Sequence, residues 1–203
     1  MLTDGPRVTA EVRPSRKKDV AKPPYPLSGL GRIDGSEKRM PYAYKRMASP
    51  VGTLTLVASD AGLVAILWED DKPGRVRLPA LVEEPDNTTL RETESQLDDY
   101  FAGRRTRFEV PLDFQGTDFQ KSVWNALLQI PFGETRNYAQ IADAIGNPTA
   151  VRAVGAANGR NPISIIAPCH RVIGSNGALT GFAGGLDAKR LLLALEAPQK
   201  ALL

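Results

Sequence analysis

The sequence predicts an α/β chain: a small N-terminal α/β unit over 42–117, then a mainly helical C-terminal unit over 118–203 with a helix-turn-helix and a glycine-rich loop, and a basic arm over 1–41 in front. Three observations predict it. Short β-rich apolar runs separated by turn signals give way, after Thr117, to apolar residues at helical spacing. The charge balance changes sign at the same point, from nine Lys/Arg against thirteen Asp/Glu over 42–117 to eight against five over 118–203. The arm holds nine Lys/Arg against five Asp/Glu and six prolines, with almost no periodic apolar pattern, too little to bury the surface that folding requires.

The elements follow in order. The runs 53–59 (TLTLVAS) and 63–69 (LVAILWE), separated by Asp60-Ala61-Gly62, read as a hairpin with Gly62 at positive φ. A helix fits 89–102, where Leu90, Leu97 and Phe101 share a face and Gly103 ends it. The stretch 108–114 is extended. From Phe119, the residues Val123, Ala126, Leu127 and Ile130 recur at helical spacing, with Thr117 or Asp118 as cap and Pro131 and Gly133 closing the segment. A short helix over 138–145 is capped by Asn137 and ended by Gly146, and Pro148 opens another from Thr149 to about Asn158, ended by Gly159. Two short helices joined by so tight a turn form a helix-turn-helix. The apolar run 163–167 then reads as a buried strand that delivers Pro168-Cys169-His170-Arg171-Val172 to a loop rich in glycine: Gly174, Gly177, Gly181, Gly184 and Gly185.

Cys169 is the only cysteine in the chain, His170 the only histidine, and they are adjacent. A thiol is nucleophilic only as thiolate, so a working cysteine needs a base or a positive neighbourhood, for which His170 and Arg171 are the nearest candidates. The pair also fits a small buried residue beside a hydrogen-bonded core histidine. Adjacent side chains on an extended segment face apart, and only a turn or helix end brings them together. Two adjacent residues cannot make a structural zinc site, and one cysteine cannot make an internal disulfide. A lone thiol suits a reducing compartment, so the expected location is cytoplasmic, nucleoid-associated if bacterial. No apolar run reaches the roughly 18 residues of a membrane span, and no signal-peptide core appears at the N-terminus.

The second helix of the helix-turn-helix, Thr149 to Asn158, carries one cation, Arg152, among small residues such as Ala153 and Gly155. Readers of the major groove present several long polar side chains to base edges, and this helix presents almost none. Small residues let a helix approach a shallow groove closely, with Arg152 entering the base stack as a wedge, and they also let it pack on the helix that begins at Phe119.

Taken together, Tyr138-Ala139-Gln140-Ile141-Ala142, Arg152-Ala153-Val154-Gly155, Asn161-Pro162, Pro168-Cys169-His170-Arg171-Val172 and the closing LLALE over 192–196 resemble the O6-alkylguanine-DNA alkyltransferases, also called methylated-DNA protein-cysteine methyltransferases. The resemblance spans about 42–198 and is strongest from Phe119 onward. It implies a ribonuclease H-like N-terminal domain and an active-site loop in the C-terminal one. It also implies direct repair: the alkyl group of O6-alkylguanine, and of O4-alkylthymine, moves stoichiometrically to Cys169 after the base is flipped out on the minor-groove side. His170 would act through a water as base for the thiol, Glu196 would hold the histidine, and Asn161 would be the hinge joining the helix-turn-helix to the active-site loop. Tyr138, Arg152, Ala153, Gly155 and Arg171 would meet the DNA; Tyr138, Ser164, Val172, Ser175 and Phe182 would line the base pocket.

The implied partner is double-stranded DNA containing O6-alkylguanine, met by a monomer with cooperative assembly along DNA left open, and with no cofactor, metal or membrane. Two departures stand out. Phe182 lies where some members of the family have tyrosine, and Ser164 where mammalian members have proline, which points to a pocket open to alkyl groups bulkier than methyl. The chief alternative is a non-catalytic sensor of alkylation damage, but such proteins lack the acceptor cysteine. A cysteine hydrolase would want a second histidine placed by the fold, and a transcription regulator more base-reading side chains than 149–158 offers.

Overall fold

Strand β1 (Tyr42–Ser49) turns at Gly52 into β2 (Gly52–Ser59), which turns again into β3 (Gly62–Trp68). The computed structural model of the protein describes residues 41–197, so apart from Pro41 the basic arm lies outside the described residues. The three strands are antiparallel, β4 (Leu81–Glu83) joins β1 in parallel, and the sheet order is β3-β2-β1-β4. Gly62 has φ +149°, and a Cβ there would stand 2.5 Å from the Pro111 carbonyl oxygen, so the second turn needs its glycine.

Strand β1 was not expected from the pattern, and the reason is burial on both sides. Ala43 and Met47 face one apolar layer and Tyr44 the other, so period-two alternation disappears. Helix α1 (Thr88–Phe101), capped by the Asn87 side chain and followed by Gly103 at φ +71°, covers the first layer with Leu90, Leu97 and Tyr100. The stretch 108–114, expected to be extended, forms no strand: it bends at Val110 and pairs with the sheet at one place, Leu112 opposite Leu63.

Helix α2 (Asp118–Leu127) begins with a capping box between Thr117 and Gln120. Strand β5 (Arg136–Asn137) leads into α3 (Tyr138–Ala144), whose cap, Asn137, forms a second box with Gln140. Helix α4 (Val151–Gly159) starts two residues after the expected Thr149, because Pro148 and Thr149 are used in the turn. Its Val154, Ala157 and Asn158 face inward, and the Trp124 indole of α2 donates to the Ala157 carbonyl at 2.9 Å. Arg152, Ala153 and Ala156 remain exposed, so one helix both packs on α2 and presents a bare outer face.

The strand expected at 163–167 does not form. Only Ile163 bridges to the sheet, opposite Ile66, and the chain then doubles back through turns, with Ile165 at φ +74°. The Asn161 side chain closes this loop, donating to the Ala167 carbonyl at 2.7 Å and accepting from the Ile163 amide at 3.1 Å. A continuous apolar run reports burial and leaves the backbone path open. Beyond it come a short 3-10 turn (Cys169–Arg171), β6 (Val172–Ile173) in parallel with β5, and α5 (Gly185–Glu196).

The expected division at 117/118 is not a division of the core. Ile163, Ile165, Ile166, Ala188 and Leu192 lie in one apolar cluster with Leu54, Leu63, Leu90 and Leu97, so the loop and α5 are packed against the N-terminal sheet and α1. Among the described residues no helix is long and apolar enough to cross a membrane.

Candidate active site

The 3-10 turn places Cys169 and His170 side by side in the interior, both buried. His170 Nε2 lies 2.8 Å from Glu196 Oε1, at the last turn of α5. Arg171 donates to both oxygens of the same carboxylate, from Nε at 2.7 Å and Nη2 at 2.9 Å, and the Tyr100 hydroxyl of α1 adds a bond to Oε1 at 2.7 Å. Burial alone would raise the Glu196 carboxyl, but the hydrogen bonds from His170, Arg171 and Tyr100 outweigh it and hold it at about 2. An ionised Glu196 is an acceptor only, so Nε2 carries the proton. Nδ1 is then the free lone pair of the ring, and it is buried with no partner among the described residues.

Burial pushes the Cys169 thiol up from its ordinary 9.0, while the Asn161 and Ser164 side chains and the charges of Arg75 and Lys189 pull the other way. Burial likewise lowers His170 below 6.5, with Glu196 opposing. At neutral pH the resting pair is therefore a thiol beside a neutral imidazole. Such a pair reacts once a proton can pass from sulfur to Nδ1.

Cys169 opens into a cavity of about 350 Å³ that Asn161, Ser164, Tyr138, Gly155 and Phe182 also line. Phe182 stands edge-on to the Trp68 ring at 5.2 Å and to the His170 ring at 6.4 Å. The Ser164 hydroxyl accepts from the Trp68 indole at 3.3 Å, and the Tyr138 hydroxyl is 2.6 Å from Thr180 Oγ1. A Cβ on Gly155 would touch the Tyr138 ring at 3.8 Å, so α4 passes close over that ring. Val172 and Ser175, expected at the base pocket, do not line this cavity: Val172 is buried with its carbonyl taken by Lys189 Nζ at 2.6 Å, and Ser175 is exposed on a turn.

The structure also departs from the expected role of Arg171. Arg171 does not reach outward to DNA: it is buried, its Nη1 donates to the Ile130 carbonyl at 2.6 Å, and its charge is neutralised by Glu196. A guanidinium withdrawn from water keeps its charge only beside a carboxylate, and that carboxylate is the one His170 uses.

Three groups were not foreseen. Tyr100 lies three residues after Leu97 on the buried face of α1, a spacing that marks a core aromatic and gives no sign of its bond to Glu196. Lys189 is fully buried and donates to the Val172 and Thr180 carbonyls, tying both ends of the active-site loop to α5. Its signal was position: it lies on the inward face of α5 beside Ala188, Leu192 and Glu196. Arg75, from the loop between β3 and β4, pairs with Asp71, donates to the Asn161 carbonyl and lines the cavity. Its spacing of four from Asp71 was the only hint.

Both units of the chain are similar to known proteins. Residues 42–114 match the model of the 6-O-methylguanine DNA methyltransferase ribonuclease-like domain, and residues 118–198 that of the 6-O-methylguanine DNA methyltransferase DNA-binding domain. The methylated-DNA–protein-cysteine methyltransferase of Mycobacterium bovis is 51% identical over 155 residues, 75% of this chain and 91% of the relative. That of Methanosarcina acetivorans is 52% identical over 153 residues, 75% of this chain and 97% of the relative. The crystal structure of Mycobacterium tuberculosis OGT in complex with DNA superposes with a TM-score of 0.69 at 49% identity, covering 77% of this chain and 96% of that one.

Proposed function

Because the chain belongs to the 6-O-methylguanine DNA methyltransferase family, we propose that it repairs DNA directly by moving the alkyl group of O6-alkylguanine in a duplex onto Cys169. It is a methyltransferase with DNA as its partner. The observation that carries the assignment of the acceptor is the buried Cys169 at the floor of a cavity, beside a histidine whose free Nδ1 is fixed by the bond of Nε2 to an ionised Glu196.

A stacked base cannot reach a thiol so placed. The alkylated guanine leaves the stack, at a cost of a few kcal/mol, and enters the cavity between Tyr138, Ser164 and Phe182. Arg152, exposed on the bare outer face of α4, fills the vacated place from the minor groove, and Ala153 and Gly155 let the helix come close. The Cys169 proton passes through a water to His170 Nδ1, and the sulfur attacks the alkyl carbon. The S–C bond forms as the C–O6 bond breaks, the electron pair stays on O6, and the proton from the thiol ends on the departing guanine. Electrostatic support for the developing thiolate comes from Arg75 and Lys189. Asn161 holds the loop that presents it.

The thioether is not undone by thiol exchange, so each molecule reacts once. Ser164 in place of a rigid proline leaves room for larger groups and for O4-alkylthymine. Intact-protein mass after incubation with a duplex carrying one O6-methylguanine tests the reading. A gain of one methylene that stops at one equivalent and is absent in Cys169→Ser is expected. Tight binding to the lesion without any gain would make the protein a damage sensor instead. Benzyl and methyl adducts compared in the same assay test the width of the pocket.

A further inference from the structure

Several surface cations have acid partners: Arg104 pairs with Asp99, Arg136 with Glu134 and Arg190 with Asp187. Exposed cations with no acid partner among the described residues include Arg91, Arg107 and Arg152, which lie apart, and Lys72, Arg77 and Arg160. The last three are gathered in one place. Lys72 lines the cavity that holds Cys169, and Arg77 and Arg160 line an adjoining cavity of about 520 Å³. Arg75 belongs to both, and the end of α4 passes from the first at Gly159 to the second at Arg160.

The surrounding charge makes the grouping unusual. The unit over 42–117 carries nine basic against thirteen acidic residues, yet its segment 72–82 (KPGRVRLPALV) has three cations and no acid. Asp71 is occupied by Arg75, and the exposed Glu69 and Asp70 line neither cavity. An acidic surface repels DNA, and unpaired cations on its edge are where a polyanion releases most counterions.

We propose that Lys72, Arg77 and Arg160 form a phosphate track for the DNA strand carrying the flipped nucleotide, so that the β3–β4 loop of the N-terminal unit is part of the DNA interface. The track leads from the mouth of the acceptor cavity, past the end of α4, into the cleft between that loop and the first turn of α2, where Thr117 and Gln120 lie. It rests on the reading of the chain as a DNA alkyltransferase.

Binding of Lys72→Ala, Arg77→Ala and Arg160→Ala to a lesion duplex, measured over a range of salt concentrations, tests it. Each substitution is expected to lower the slope of log K against log salt by about 0.9, the value for one phosphate contact on B-DNA. Arg77→Lys and Arg160→Lys should restore it, and Arg104→Ala, on a cation held by Asp99, should leave it unaltered. An unchanged slope in all three variants overturns the track. A fall for Arg160 alone confines the interface to the C-terminal unit and overturns the part assigned to the β3–β4 loop. Mass measured on the same samples separates the two proposals: if the unaltered protein gains no alkyl group, it is the transfer reading that fails.

Discussion

The Tyr100 hydroxyl donates to Glu196 Oε1 at 2.7 Å across 96 residues of sequence, on the same oxygen that His170 Nε2 meets at 2.8 Å. The N-terminal unit thus supplies one of the bonds that keep the carboxylate of the relay ionised. Tyr100→Phe removes that bond and little volume. Hydrogen bonds to charged groups are worth about 1.5–3 kcal/mol, so urea unfolding should show a loss in that range. Alkyl transfer should slow but persist, because His170 and Arg171 still bind Glu196.

Arg171 and Glu196 make a sharper test. Removing one partner of a buried ion pair typically costs about 3–5 kcal/mol because the other charge is left uncompensated. Arg171→Ala and Glu196→Gln should both lower stability on that scale. Arg171→Ala should leave the salt slope of DNA binding unchanged, since the guanidinium faces Glu196 and the Ile130 carbonyl. A slope that falls by about 0.9 would return Arg171 to the DNA interface.

The dependence of stability on pH follows chiefly from His170, Glu196 and Cys169, while Tyr100, raised by burial and by Glu196, adds to the loss on the alkaline side. His170 is depressed below 6.5 in the fold, so its contribution is complete above 6.5 and is lost as pH falls through the folded value. Glu196, lowered from 4.5 to about 2, loses its contribution between those values, in the same direction. Cys169 is raised above 9.0, so its contribution is complete below 9.0 and is lost as pH rises through the folded value. Thermal melting should therefore show a plateau between pH 6.5 and 9.0 with a fall on both sides. In Cys169→Ser the alkaline fall should shrink and the acid one should not. Lys189, lowered by burial, works against the alkaline fall in both proteins.

Gly155 separates folding from DNA approach. Its Cβ position meets only the Tyr138 ring, at an ordinary contact distance of 3.8 Å, and its backbone is helical. Gly155→Ala should raise stability by about 0.5–1 kcal/mol, the usual gain in a helix interior. It should also weaken DNA binding, because the added methyl stands on the helix proposed above to meet the groove. Melting temperature and duplex affinity, measured together, should move in opposite senses.

The sequence carried most of the C-terminal unit. Thr117, Asn137, Gly146 and Gly159 are local signals, and each capped or ended the helix it marked. Strand β1 and the loop over 161–168 were not legible for one shared reason. Both are buried on more than one side, so the spacing of apolar residues no longer tells strand from turn. The chemistry divided in the same way. Cys169, His170 and Glu196 stood out through rarity and resemblance, whereas Tyr100, Arg75 and Lys189 act through partners dozens of residues away or through backbone carbonyls, which leave no trace in local pattern. Arg171 misled because a cation beside a reactive thiol reads as surface chemistry until its carboxylate is in view.

The carboxylate that orients His170 is synthesised 26 residues after it, as the final residue of α5. A nascent chain emerging from the ribosome therefore carries its thiol before it carries the group that fixes the imidazole tautomer. Until α5 docks, Nε2 and Nδ1 exchange the proton freely and the loop lacks the tie that Lys189 supplies. The relay on which the proposed transfer depends is therefore complete only when α5 has packed against the loop, so the step that orients the imidazole is the closing of the fold itself.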